Sequence, residues 1–489
     1  MRTFLRAPFL LALALATGAA ALPGAAHATG AWTTYIHMVT TNDILALPDT
    51  VWLASGEAGL LRYLRSSDTF ESITREPGGL ASNSVTALAF DRSGRLWAGT
   101  AGKGVSRLAA TGGTWDLVNA FDGLPSDSVN VLRADGDTIW IGTTRGIALW
   151  NGTQVAGSVP DLGTPSPFRH DGITGIVVDG DSLFVATLNG LYLARLSESL
   201  ANWTDESAGI ATSEIDGLAI WHRQPFALAG GLVYAWNGGG WTATTVSGAV
   251  DKLRDDFGTL LAVSPNGLFQ WDGLQWNAIP AAWGSGSGAT VTEMAADPSG
   301  QVFETHAQAL LEHQGAAWVT HHPEGPVDND VQNVLHDGTR LWAATFSGGV
   351  SMLDAAGWHT WHAGCCGPGQ DTSFVDPSFA FTLQRGAAGD VWISTWGRSM
   401  ERIDPTTTPF TFEHVYQAFG LAPSDTNSAH TWGWSSAVDP WGYVLVGGDT
   451  PDRGGLEPMG VDVYAPDGTR AITWKTTNAG LRSNQVRAL

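Results

Sequence analysis

From about residue 40 onward, apolar and polar positions alternate with a period of two over short stretches, and Gly, Asp, Asn and Pro turns separate those stretches. In one typical segment Val129 to Arg133 reads as a strand, Asp135-Gly136 as a tight turn, and Thr138 to Thr143 as a second strand. Gly146 then opens a third strand, Ile147 to Trp150, and Asn151-Gly152 turns the chain toward a fourth. We label these strands a to d. The same frame recurs with an aromatic or apolar substitute on strand b at Trp52, Trp97, Trp140, Phe184, Phe226, Leu261, Phe303, Trp342, Trp392 and Tyr443, a mean step of about 43 residues. Strand d usually begins with an aromatic: Trp115, Trp203, Trp241, Trp276, Trp318, Trp358. Repeats of this length with four strands each predict an all-β protein, a β-propeller built of four-stranded blades. The count is about ten units plus the start of an eleventh.

Composition agrees with that pattern. Of the 489 residues, 61 are Gly and 23 are Trp, while 15% are charged, as expected of a turn-rich chain whose strands are buried between sheets. The a-to-b turns use Asp with Gly, as in Asp91-Arg92-Ser93-Gly94 and Asp337-Gly338. There Asp bonds the turn backbone and Gly accepts positive φ, which explains these carboxylates without catalysis. Sixteen Trp fall on repeat positions and are expected to pack between sheets. The net charge is −22 with three lysines, Lys103, Lys252 and Lys475. Such a chain repels polyphosphate, so nucleic acid is not an expected partner.

The first residues have another origin. Arg2 and Arg6, an apolar run from Ala7 to Leu22, and Ala26-His27-Ala28 before a cut form an export signal over residues 1–28. The chain is therefore expected in the periplasm or outside the cell. No later apolar run reaches the ~20 residues needed to span a bilayer, so no membrane segment is expected in the mature part.

Gly123-Leu124-Pro125-Ser126 with Val129, followed by Ile139-Trp140-Ile141-Gly142-Thr143 and Gly146, resembles the two-component regulator propeller repeat. The resemblance is close in units two, three and eight, weaker in units five to seven and ten, and extends from about Trp32 to Leu489. It implies a module of the kind found in periplasmic sensor halves of hybrid two-component systems and in secreted multidomain proteins. That family often places two seven-bladed propellers in tandem. By that analogy residues 31–323 form the first propeller and 324–489 an incomplete second one. Trp32-Thr33-Thr34-Tyr35 resembles a lone strand d, and Gly480 to Leu489 repeats the start of a unit, so the sequence is read as a fragment.

Seven Trp lie off the repeat register: Trp221, Trp283, Trp361, Trp396, Trp432, Trp434 and Trp441. Trp221 and Trp441 fall in a-to-b turns and the other five in loops of the opposite face. Long insertions there, 363–378, 420–436 and 448–460, are where binding residues tend to sit. The candidate ligand site is Trp361, Trp396, Trp432 and Trp434 with Arg398, His430 and Asp371, suited to a glycan or other small polar ligand; packing against other blades is the competing role. His359, His362, Cys365 and Cys366 have the residue types of a zinc site, but the odd His spacing sends the two rings to opposite faces of a strand. No metal and no cofactor are assigned. No nucleophile elbow, zincin motif, phosphate loop or dinucleotide fingerprint occurs, so the expected role is a non-catalytic module binding a small molecule, a glycan or a protein partner. A secreted or cell-surface scaffold with a C-terminal sorting domain is the alternative, and a propeller hydrolase or lyase the second. Replacing Trp432 and Trp434 with Ala is expected to abolish binding in a glycan titration; unchanged affinity would remove the pair from the site.

Overall fold

The structure is a computed structural model that describes residues 40–481, apart from 77–78, 110–112, 161–164, 199, 201, 281–290, 307–308, 316, 324, 327–329, 347–348, 362–379, 398, 408–409, 415–430, 452–457, 467–469 and 475. The export signal, Trp32 to Tyr35, Trp283, His362, Cys365, Cys366, Asp371, Arg398, His430 and the last eight residues lie outside the described set. The chain divides into two compact units, Met38–Pro323 and a second made of Glu324–Leu489 with Met1–His37.

Within 38–323 there are seven antiparallel sheets of four strands, each in chain order a-b-c-d. Their first strands are Thr41–Ala46, Val85–Phe90, Val129–Asp135, Ile173–Asp179, Gly217–Trp221, Lys252–Asp256 and Val291–Ala296. The second unit holds three more blades, opened by Val331–His336, Ala380–Arg385 and Thr431–Val438. The ten blades make this an all-β propeller chain.

The repeat motif has a packing cause at each position. The strand b aromatic is buried from Trp52 to Trp392, with Trp97, Phe226, Phe303 and Trp342 sealed completely. In the tenth blade Tyr443 instead precedes strand b, Val444–Pro451, and is exposed. The turn Asp holds the indole from below: Trp97 Nε1 donates to Asp91 Oδ2 at 3.1 Å and Trp342 Nε1 to Asp337 Oδ2 at 3.0 Å. Burial would raise these two carboxyls, but bonds from Ser93 in the first case and Trp342 in the second, with further turn donors, hold both below the ordinary range. The Thr closing strand b ties the next turn, since Thr100, Thr143, Thr187 and Thr345 each donate Oγ1 to the carbonyl of the glycine that opens strand c. In the second and third blades the strand b glycine is required by the next blade. A Cβ on Gly99 would stand 2.6 Å from Val129 Cγ1, and one on Gly142 would stand 2.7 Å from Ile173 Cγ2.

The blades are also linked along their inner strands. Asn42 Nδ2 donates to Val85 O at 2.8 Å, Thr86 Oγ1 to Val129 O at 2.6 Å, Asn130 Nδ2 to Ile173 O at 3.0 Å, and Thr174 Oγ1 to Ile215 O at 2.5 Å. Each bond reaches exactly one blade ahead. Among the described residues the ring closes by packing: Ile44, Val51, Leu53, Leu61 and Tyr63 of the first blade share one core with Ala295, Phe303 and Leu310 of the seventh. Around that seam Tyr63 Oη lies 2.9 Å from His321 Nδ1 and donates to Asp68 Oδ1 at 3.0 Å, while Arg65 donates to Asp297 at 2.9 Å and Glu312 at 2.6 Å. Contact with His321 and Tyr63 holds the Asp68 carboxyl below its ordinary value.

If the strand b glycine sets the approach of neighbouring blades, Gly142→Ala overpacks against Ile173. It is expected to destabilise the protein by about 1–3 kcal/mol, read as a lower urea midpoint; a neutral result would show that the blades can slide apart.

Candidate functional site

The inner strands of the seven-bladed unit surround a central cavity of about 760 Å³, reached by Asn42, Thr86, Asn130 and Thr174 toward one end and Phe257 toward the other. The inner strands of the fifth and seventh blades, Gly217–Trp221 and Val291–Ala296, carry mostly small and apolar residues. The sixth breaks that pattern: Lys252-Leu253-Arg254-Asp255-Asp256 puts four charges on five residues.

Each charge is held by a partner on another blade or on the same strand. Arg254 donates to Asp43 Oδ1 at 2.5 Å, to Asp256 Oδ2 at 2.7 Å and to the Ile44 carbonyl, so its guanidinium fork joins the sixth blade to the first. Asp43 in turn accepts the backbone N–H of Ile44 at 2.8 Å and of Leu88 at 2.6 Å, which ties in the second blade. Asp256 also accepts from the Ala296 N–H of the seventh blade at 3.1 Å. Across the bore, Arg133 of the third blade meets Asp255 of the sixth with two parallel bonds of 3.0 and 2.6 Å. Lys252 bonds Glu293 of the seventh blade, and its side chain is the more exposed partner, at 38% against 11%.

Burial and charge set the protonation states. Arg133 is raised by the Asp255 charge. Burial works against the charged form of Arg254, but Asp256, Asp43 and Glu293 outweigh it and hold the guanidinium well above its ordinary value. Burial pushes Asp256 up against the pull of Arg254. The largest perturbation is at Glu293, pushed up to about 7 by burial and only partly opposed by Lys252 and Arg254. The cluster is thus a braced set of opposite charges with one carboxyl near its titration point and one lysine facing the cavity.

The sequence-derived site falls elsewhere, in the second unit. Trp361 is not in a loop: it ends strand Gly357–Trp361, is half-buried, and stacks with Trp342 at 6.0 Å and with Phe410 at 5.5 Å, so it packs between blades eight and nine. Trp396, Trp432 and Trp434 are also on strands, Val391–Gly397 and Thr431–Val438. These strands run beyond the blade and pair with each other through Trp396 opposite Trp432 and Gly397 opposite Thr431, which is why a loop reading failed there. The structure thus brings Trp396 and Trp432 into register, and the other proposed members, Arg398, His430 and Asp371, fall outside the described residues. His359 lies 3.1 Å from Asp354. The channel charges went unrecognised, although a signal existed: Lys252 is one of three lysines, and 252–256 lacks the apolar alternation of every neighbouring inner strand.

The fold and the motif contacts define a β-propeller of four-stranded blades. Residues 79–102 match the family model described as two component regulator propeller, so the chain carries that repeat. No curated protein matches it. Among solved structures, PorZ, an essential surface component of the type-IX secretion system of Porphyromonas gingivalis, is 14% identical with a TM-score of 0.54 over 94% of this chain and 84% of that one. An ancestral GH74 enzyme is 13% identical with a TM-score of 0.64 over 88% and 68%. The extracellular domain of BT4673 from B. thetaiotaomicron is 15% identical with a TM-score of 0.44, and the chain spans 62% of its length. At these identities the likeness is one of fold. Among the described residues no helix is long and apolar enough to cross a membrane.

Glu293 generates a pH prediction. Its folded value near 7 lies above the ordinary 4.5, so between those values the native state keeps a proton that the unfolded chain releases, and stability falls as pH rises through that window. Glu293→Gln removes this slope. Relative to the parent, the variant should gain on the order of 1–3 kcal/mol between pH 5 and pH 8 in chemical unfolding; a constant difference would show that Glu293 does not titrate there.

Proposed function

We propose that the chain is an exported, non-catalytic binding module whose ligand enters the central channel of residues 38–323. The observation that carries this reading is the charged inner strand of the sixth blade, which places Lys252 beside Glu293 in a cavity large enough for a small polar molecule. The regulator-type repeat at 79–102 supports a sensory setting for that binding, and the export signal supports a periplasmic or extracellular one.

A binding role fits the chemistry of the lining better than catalysis does. The Thr86 and Thr174 hydroxyls are spent on carbonyls of the next blade, and the carboxylates of Asp43, Asp255 and Asp256 are engaged by arginine. Such groups brace a site and recognise charge, but they offer no free base aimed at a nucleophile. Lys252 is the adjustable member, since its ammonium can leave Glu293 for a ligand carboxylate while Glu293 takes up a proton.

A thermal-shift panel of amino acids, dipeptides, uronates and neutral sugars tests the reading. At least one charged compound is expected to raise the unfolding temperature of the native protein, and Lys252→Ala to lose that shift while folding normally. Mass spectrometry should recover the compound unchanged after incubation. Conversion of the compound, or a shift that survives Lys252→Ala, would sink the proposal.

A further inference from the structure

The a-to-b turns of blades five and six depart from their neighbours. In blades three and four the first turn residue is glycine, Gly136 and Gly180, in the left-handed region at φ 64° and 57°. The fifth blade places His222 and Arg223 in its turn at φ 45° and 70°, and the sixth places Phe257 at 46° before Gly258. Large side chains in that region cost about 1 kcal/mol or more each, and Gly or Asn would relieve it. The strain presents these side chains to solvent. Phe257 is 60% exposed, and Leu274 in the adjoining c-to-d turn is 90% exposed.

These residues are contiguous. The Trp221 ring lies against Gly273, where a Cβ would come within 2.7 Å of it, and His222 packs edge-on to Trp221 at 4.4 Å between centroids. His222 also reaches to 4.0 Å from the Cβ position of Gly258, next to Phe257, and Leu274 follows Gly273. Two exposed apolar side chains, Phe257 and Leu274, thus flank the His222–Trp221 pair over two blades, beginning at the channel rim where Phe257 stands. Their surroundings are acidic. Asp272 adjoins them on the sixth blade, Asp179 and Asp181 stand on the fourth, and the neighbouring Arg223 is bonded to Asp179 at 2.9 Å.

We propose that this patch docks a segment of a partner polypeptide bearing a large apolar side chain flanked by lysine or arginine. The apolar group covers Phe257 and Leu274, and the flanking cations meet Asp272 and Asp181, Asp179 being already paired with Arg223. Residues that lower stability and expose hydrophobic area are placed together where a partner would bury them. This surface is independent of the ligand reading of the channel.

The probe is a capped Lys-Leu-Phe-Lys-Leu-Lys peptide titrated into the full chain by fluorescence anisotropy, with a Glu-for-Lys version as control. The basic peptide is expected to bind saturably and the acidic one at least tenfold more weakly. Phe257→Gly should raise the thermal midpoint, because strain is released, yet weaken the peptide at least fivefold. Leu274→Ser should weaken it without moving the midpoint, and Lys252→Ala should leave it unchanged. The proposal is overturned by equal binding of both peptides, by affinity that survives the Phe257 and Leu274 substitutions, or by a Phe257→Gly protein that melts earlier. Self-association of the native chain that Leu274→Ser abolishes would assign the patch to a second copy and overturn it as well.

Discussion

A four-stranded sheet of this size cannot bury both of its faces alone, so every blade depends on how closely the next one approaches. In the second and third blades that distance is set where a strand b glycine meets a β-branched residue from the following inner strand, as Gly99 meets Val129 and Gly142 meets Ile173. The buried strand b aromatic fills the space beside this contact, and the turn Asp satisfies its indole nitrogen. Aromatic, glycine and threonine of the repeat are thus three answers to one spacing requirement, which is why the motif identifies the fold and carries little information about ligand.

The same spacing fixes the bore. Once neighbouring inner strands are held by donors such as Asn42 and Thr86, opposite strands are near enough for Arg133 to reach Asp255 and for Arg254 to reach Asp43. Four charges on one strand would be unfavourable on an isolated sheet. In a closed ring they find partners on the first, third and seventh blades, and their desolvation is offset by bidentate and backbone bonds. The ligand site proposed above therefore lies where seven separate repeats converge.

The repeat period, the four strands per blade, the turn chemistry and the buried tryptophans were legible in the sequence because each depends on residues a few positions apart. The third blade illustrates this, with its strands where the alternation of Val129 to Trp150 puts them. The channel was not legible, because Arg133 and Asp255 are 122 residues apart and only ring closure makes them neighbours. Trp396 and Trp432 were misplaced for a different reason. Off-register aromatics look like loop residues when strands are assumed to have a constant length, whereas the strands Val391–Gly397 and Thr431–Val438 are longer than the repeat and pair across blades. His321 shows the opposite case, a histidine among several in units seven and eight whose role at the seam could come only from the meeting of first and last blades.

The seam has a consequence for ring closure. Six of the seven blade boundaries are crossed by the chain itself, whereas among the described residues the first and the seventh blades meet through side chains. The first described strand of the ring, Thr41–Ala46, and the last, Ala317–His321, belong to the two blades that meet at that boundary. Tyr63, Arg65, Glu312 and His321 meet across that boundary, so it is the one place where two blades distant in sequence must find each other before the bore exists.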